Sequence, residues 1–229
     1  MEQNREKIWF SLINEGKTGE KFERFYGLLT EYNEKFNLTR IVDKEDCKVK
    51  HFLDSISGER FFPKGASVAE IGSGGGFPSV PLMIVREDLK FTLIESSEKK
   101  CGFLREVCKQ LDLNAKVYHL RAEEAARTQQ FREKFDVCCA RAVARLNTLS
   151  EYCIPFVKKG GRFIAYKGKA EEEISEASRA FEVLGVKLVK AEYFTLPDGS
   201  ERAIIVAEKV KGTPDGYPRG RGKERSKPL

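Results

Sequence analysis

Four stretches of this sequence combine residue types and spacings suited to holding a ligand. The first is Val68-Ala69-Glu70-Ile71 running straight into Gly72-Ser73-Gly74-Gly75-Gly76-Phe77-Pro78, a short apolar strand followed by a glycine-rich turn. Glycines let the backbone come close to a ligand at the carboxyl end of a parallel strand. A dinucleotide fingerprint would carry its third glycine where Phe77 stands, and Pro78 suits a first helical turn, so a pyrophosphate on a bare helix end is disfavoured. The second stretch is Ile94-Glu95, 23 residues after Gly72, where a carboxylate can accept hydrogen bonds from both hydroxyls of a ribose. The third is Arg121-Ala122-Glu123, whose backbone amides and acid suit the bracketing of an adenine ring. The fourth pairs Arg141 and Lys167, cations just past two further strands; surface ion pairing is the alternative for each. Glu70 either orients the glycine loop or meets a cationic ligand, and its position leaves both readings open.

Acids behind three strand ends, with a loop lacking the third glycine, fit a nucleoside that carries a sulfonium and an amino acid better than one that carries a diphosphate. The cofactor expected is S-adenosylmethionine. A nicotinamide cofactor stays open on these residues alone, because the strand-end geometry is common to both.

The elements that must position these residues follow from periodicity. Thr18 to Phe36 carries Phe22, Phe25, Tyr26, Leu29, Tyr32 and Phe36 at three- and four-residue spacings, an amphipathic helix whose aromatic stripe reads as core rather than as a base-stacking surface. A second helix is expected over Glu45 to Ile56, before the break at Phe62-Pro63-Lys64-Gly65. Beyond it, apolar runs alternate with amphipathic segments, the pattern of a parallel sheet with crossover helices. Strands are expected at 67–71, 91–95, 116–120, 135–140, 162–166, 187–194 and 202–208, with helices clearest at 98–111 and 170–184. The turn Leu196-Pro197-Asp198-Gly199 is too short for a crossover, so the last two strands should be antiparallel. The fold class is thus α/β, Rossmann-like and of the S-adenosylmethionine-dependent methyltransferase type, with a seven-stranded, mostly parallel sheet, an antiparallel last strand and added N-terminal helices. The expected organisation is a helical extension over 1–62 packed on a catalytic domain over 63–210, then a basic tail over 211–229.

Composition narrows the function classes. In 229 residues, 41% hydrophobic and 33% charged, there is enough apolar material for a real core and too much for a disordered chain. The first ten residues mix Glu2, Arg5, Glu6 and Lys7 with few apolar ones, unlike a signal peptide, and no run approaches a membrane span. Six cysteines without Cys-x-x-Cys spacing, beside two histidines, point to a reduced, cytosolic protein without a metal site. Most of the formal +6 charge lies after residue 208, where Lys209, Lys211, Arg219, Arg221, Lys223, Arg225 and Lys227 face only Asp215 and Glu224. Such a Gly/Pro-rich tail either neutralises nucleic-acid phosphates and orders on binding or is a solvated terminus.

Several motifs together resemble one family: Asn37-Leu38-Thr39, Lys50-His51-Phe52-Leu53-Asp54-Ser55, the Gly72 to Pro78 loop, Ala140-Arg141-Ala142-Val143-Ala144, Lys167-Gly168, and the tail from Tyr217-Pro218-Arg219 to Pro228-Leu229. In order and combination they are similar to the RsmG (GidB) family of 16S ribosomal RNA guanine 7-methyltransferases. The resemblance implies a cytoplasmic enzyme that methylates the seven-position nitrogen of one guanine from S-adenosylmethionine. It implies that Gly72 and Phe77 line the cofactor, that Ala122 and Glu123 hold its adenine, and that Arg141 lies beside the cofactor or target base; Gly74 of the loop and Glu95, by its strand-end position, complete the cofactor-binding candidates. The family usually has Asp where this chain has Glu70 and Glu95; both keep the charge, so only fine geometry is affected.

Methylation at that nitrogen needs no general base, because the atom carries a lone pair and no proton. Recognition of the guanine edge calls for a donor to the neighbouring carbonyl oxygen, which suits Arg141 and Lys167, and Arg145 less well. His51 and Asp54, three residues apart on an expected helix, share a face and either cap the site, touch RNA or form a structural hydrogen bond. Asn37 is expected to fix the loop after the first helix or to meet RNA, with Arg145, Arg219 and Arg221 as further RNA contacts. The partner implied is 16S RNA or the small ribosomal subunit, met by a monomer with no membrane association. The competing reading is an RNA-binding ribosome-assembly factor with a vestigial methyltransferase fold.

Overall fold

Seven extended runs in this chain assemble into one sheet whose central strands bury both faces and whose edge strands, the third and the sixth, stay partly exposed. In the computed structural model, which describes residues 2–229 with side chains from Ile8 onward, the strands are β1 (Ser67–Ile71), β2 (Lys90–Glu95), β3 (Ala115–His119), β4 (Phe135–Arg141), β5 (Val157–Lys167), β6 (Val186–Thr195) and β7 (Glu201–Lys209). Their spatial order is β3-β2-β1-β4-β5-β7-β6, with β7 antiparallel to both neighbours and the first five strands parallel. The sheet type and the antiparallel last pair are as the sequence predicts. β5 runs five residues further towards its N-terminus than its apolar run, since its early residues Lys158–Gly160 are exposed and give no hydrophobic signal.

Successive residues along the central strands alternate between two cores, as the period of a strand requires. Val68, Leu93, Val137, Cys139, Ile164 and Ile204 face one layer, and Ala69, Ile94, Cys138, Ala140, Phe163 and Ile205 face the other. The first layer is covered by Ser79–Val85, Glu98–Gln110 and the N-terminal helices α1 (Glu2–Asn14) and α2 (Gly16–Lys35); the second by Leu146–Cys153 and Ser178–Leu184. The α2 stripe is core. Phe22 and Phe25 pack on Phe52 at ring separations of 4.9 and 5.6 Å, and Phe25 reaches Phe77 of the glycine loop at 5.4 Å.

Two local differences from the sequence reading bear on the site. The expected single helix over 45–56 contains a π-helical stretch, Lys48–Leu53, between the short α-helical pieces Lys44–Cys47 and Asp54–Ile56. The 211–229 segment, which composition sets outside the core, is instead fastened to the domain. Arg132 donates to the carbonyls of Thr213 and Tyr217, both at 2.8 Å, and Glu224 is fully buried. No helix among the described residues is long and apolar enough to cross a membrane.

Candidate active site

Strand order reverses between β1 and β4, and in such sheets the crevice at the carboxyl ends beside that reversal binds ligands. A cavity of about 330 Å³ lies there. Ile71 and Gly72 line it from β1, Ile94 and Ser96 from β2, and Leu120 to Glu123 from beyond β3. Gly72 has φ +68° and donates its amide to Ile94 O at 2.8 Å; a Cβ on it would stand 2.7 Å from Val143 Cγ2. Both the left-handed backbone and the close approach therefore require glycine.

The acids behind the loop hold it open. Glu95 accepts from Gly74 N on one oxygen, at 2.9 Å, and from Ser97 N and Ser96 Oγ on the other, at 2.9 and 3.5 Å, so the oxygen facing Gly74 keeps a lone pair for a ribose hydroxyl. Glu70 is fully buried and accepts from Ser79 N at 3.1 Å, so it supports the loop. Burial pushes the Glu70 carboxyl up to about 7. Ala122 begins a short helix, where first-turn amides have no intrahelical acceptor, and Glu123 follows it on the cavity wall. A glycine-cradled cavity with carboxylates behind two strand ends fits S-adenosylmethionine, whose nucleoside would rest against Ala122 and Glu123 with its ribose towards Glu95.

Arg141, the last residue of β4, is the most constrained cation of the site. Its Nη1 donates to Asp54 Oδ2 at 2.9 Å and Lys50 O at 3.1 Å, its Nη2 lies 2.9 Å from His51 Nδ1, and its guanidinium sits 4.9 Å from the Phe77 ring centroid. His51 Nδ1 faces both Arg141 Nη2 and, at 3.1 Å, Lys50 O; an arginine only donates, and Arg141 Nη1 already serves that carbonyl, so Nδ1 is assigned as acceptor and the ring proton to Nε2, which donates to Thr39 Oγ1 at 2.7 Å. The His51 ring also stacks on Phe77 at 4.2 Å. Burial first, then the Arg141 charge, pull the imidazole down to about 3, so it is neutral at physiological pH. His51 and Asp54, together with Lys50 O, thus converge on Arg141 from the π-helical region, and Arg202 closes the cluster with Nε 3.3 Å from Asp54 Oδ2.

The other expected residues sit as follows. Phe77 forms the platform beneath Arg141 and His51; like Gly74, Glu95 and Arg141, also expected at the cofactor, it is not among the residues that line the cavity. Lys167, expected as a second donor to guanine, has its ammonium taken by Glu173 at 2.6 Å and Ala144 O at 2.7 Å, which ties down the loop after β4. Arg145 pairs with Glu176 at 2.7 Å on the surface. Arg219 is held by buried Glu151 and, with Arg121, Arg127, Arg221 and Lys223, lines an open cleft whose five cations outnumber its acids, Glu123 and Glu124. Asn37 is exposed, and it is Asn33 whose Oδ1 fixes the loop after α2, accepting from Leu38 N at 2.8 Å and Thr39 N at 3.0 Å. The sequence reading missed Thr39, Val143, Tyr152 and Arg202; of these, Thr39 and Val143 lie inside the motifs it singled out.

This sheet and cavity define a class, the Rossmann-like S-adenosylmethionine-dependent methyltransferases. An O-methyltransferase from Bacillus cereus, solved in complex with SAH, shares the fold with a TM-score of 0.56 at 18% identity, over 81% of this chain and 91% of that one. Within the class, the family model described as GidB, rRNA small subunit methyltransferase G, matches residues 18–204, and the chain belongs to this family. Proteins called Ribosomal RNA small subunit methyltransferase G from Lactobacillus acidophilus and Lachnoclostridium phytofermentans are 46% and 48% identical to it. They match 93% and 92% of this chain and 92% and 89% of their own lengths.

Proposed function

We propose that this protein transfers the methyl group of S-adenosylmethionine to the seven-position nitrogen of a guanine in 16S ribosomal RNA, with Arg141 orienting the target base. The observation that carries the proposal is the clamped guanidinium of Arg141, two residues before Val143 of the cavity wall. Three of its five N–H groups are used by Asp54, Lys50 and His51, which leaves two for a ligand. Such a fork can donate to the guanine carbonyl next to the reacting nitrogen.

When bound, the cofactor supplies an electrophilic methyl on a sulfonium. The chain's own residues then have only to align, desolvate and hold, since the nucleophile carries its lone pair at neutral pH. Orientation of this kind is worth roughly 7–11 kcal/mol. His51, neutral and donating through Nε2 to Thr39, serves as a positioning residue for Arg141 rather than a proton carrier, and Asp54 balances the guanidinium charge. Lys167 acts at one remove, by fixing the loop that follows Arg141.

The same reading has the enzyme working in the cytoplasm as a monomer on 16S RNA or the small subunit, with Arg221 and its cleft neighbours meeting phosphates. Incubation of small subunits and purified unmodified 16S RNA with labelled cofactor, mapped by cleavage at 7-methylguanosine, tests it. One mapped guanine, lost with Arg141→Ala, is the expected result. Cofactor binding without transfer to either RNA would instead favour an RNA-binding assembly factor with a vestigial fold.

A further inference from the structure

The cofactor cavity has a wall that the loops after the first three strands do not supply. Val143, Tyr152, Gly222 and Arg225 complete its lining, and two of these come from the C-terminal segment. We infer that residues Arg219 to Arg225 are a built wall of the nucleoside end of the cofactor site, with Gly222 and Arg225 contacting the bound adenosine. The inference rests on S-adenosylmethionine occupying this cavity.

The segment is fastened where such a wall needs to be rigid. Glu151, fully buried on Leu146–Cys153, accepts from Arg219 N at 2.6 Å and from the Arg219 guanidinium at 2.7 to 3.1 Å. Glu224, also fully buried, accepts from the amide of Gly220, and its own carbonyl accepts from Thr148 Oγ1 at 3.0 Å. Burying a carboxylate is costly unless it is paired, so the Arg219 guanidinium on buried Glu151 is what fastens this polar segment, with its one four-residue helix, to Leu146–Cys153. Gly220, Arg221 and Gly222 have φ of +75°, +58° and +74°, consecutive left-handed residues that turn the chain back towards the cavity. No atom lies within 4 Å of where a Gly222 Cβ would stand, so the backbone there faces open space.

Arg225 follows, with its guanidinium 5.9 Å from the Tyr152 ring centroid. A guanidinium plane steadied by an aromatic ring at the rim of a nucleoside cavity suits stacking on a purine or donation to ribose hydroxyls. The segment that composition assigns to RNA or solvent thereby gains a role in holding the cofactor.

Calorimetric titration of the full-length protein with S-adenosylhomocysteine tests this without any transfer reaction. Arg225 is exposed, so Arg225→Ala removes no core packing, and an unchanged far-ultraviolet circular dichroism spectrum establishes its fold. The expected result is binding about tenfold weaker for Arg225→Ala, equivalent to one lost charge-assisted contact, and weaker still for Arg225→Glu. Lys227→Ala, on the same segment and away from the cavity lining, should bind as wild type. In the wild type, the ligand should also slow tryptic cleavage after Arg221, Lys223 and Arg225. Equal affinity of Arg225→Ala and wild type, with no protection, overturns the inference and leaves the cofactor reading intact. Failure of the wild type to bind overturns both.

Discussion

A guanidinium with two free N–H groups is useful only if the other three hold it still, and the Arg141 cluster does this with three different acceptors: a carboxylate, a carbonyl and an imidazole nitrogen. Lysine keeps the charge but replaces the planar fork with a point donor. Arg141→Lys should therefore lower kcat/KM for methyl transfer roughly 10- to 100-fold, the equivalent of one to two charge-assisted hydrogen bonds, while cofactor affinity by calorimetry changes little. Comparable kcat/KM in the two proteins would remove Arg141 from base recognition.

At the scale of elements, the glycine loop, the π-helical stretch and the C-terminal segment each place a side chain that its local sequence cannot place. Ala142, next to Arg141, has φ +57°, a left-handed conformation that costs a residue with a Cβ. Ala142→Gly should thus raise unfolding free energy by about 0.5–1 kcal/mol in chemical denaturation; a decrease would mean that the turn carries no strain. The docked tail makes the opposite case. Arg219→Ala leaves Glu151 buried and uncompensated, and should destabilise the protein by about 3 kcal/mol, read as a drop in the denaturation midpoint. An unchanged midpoint would show that the segment is not fastened through this pair.

Over the whole molecule, two buried groups pull the pH dependence of stability in opposite directions. Glu70 is raised to about 7, so the native state holds this proton more tightly than the unfolded chain; stability from this group is full below about pH 4.5 and is lost as pH rises through 7. The loss is about 3 kcal/mol. His51 is lowered to about 3, so its contribution is full above about pH 6.5 and is lost as pH falls towards 3. Glu70→Gln should accordingly flatten the decline in stability between pH 4.5 and 7 and leave the acid limb in place, as followed by denaturation at stepped pH. A decline as steep as that of wild type would mean that Glu70 ionises freely in the folded protein.

The seven strands, the antiparallel final pair, the glycine loop and the acid behind β2 were legible in the sequence, because strand alternation, turn residues and left-handed glycines act through neighbours a few positions apart. Arg141, Phe77 and the His51–Asp54 helix face were each singled out, but apart from one another. That they form one cluster, with Phe77 as its floor, depends on the π-helical stretch and β4 meeting across the core, some 90 residues apart in the chain. The tail is the plainest case of tertiary control. Its glycines and cations read as an arm either solvated or laid on nucleic-acid phosphates, and only the folded protein brings Glu151, Thr148 and Arg132 to it, because burial of a charge depends on where its partner lies in space.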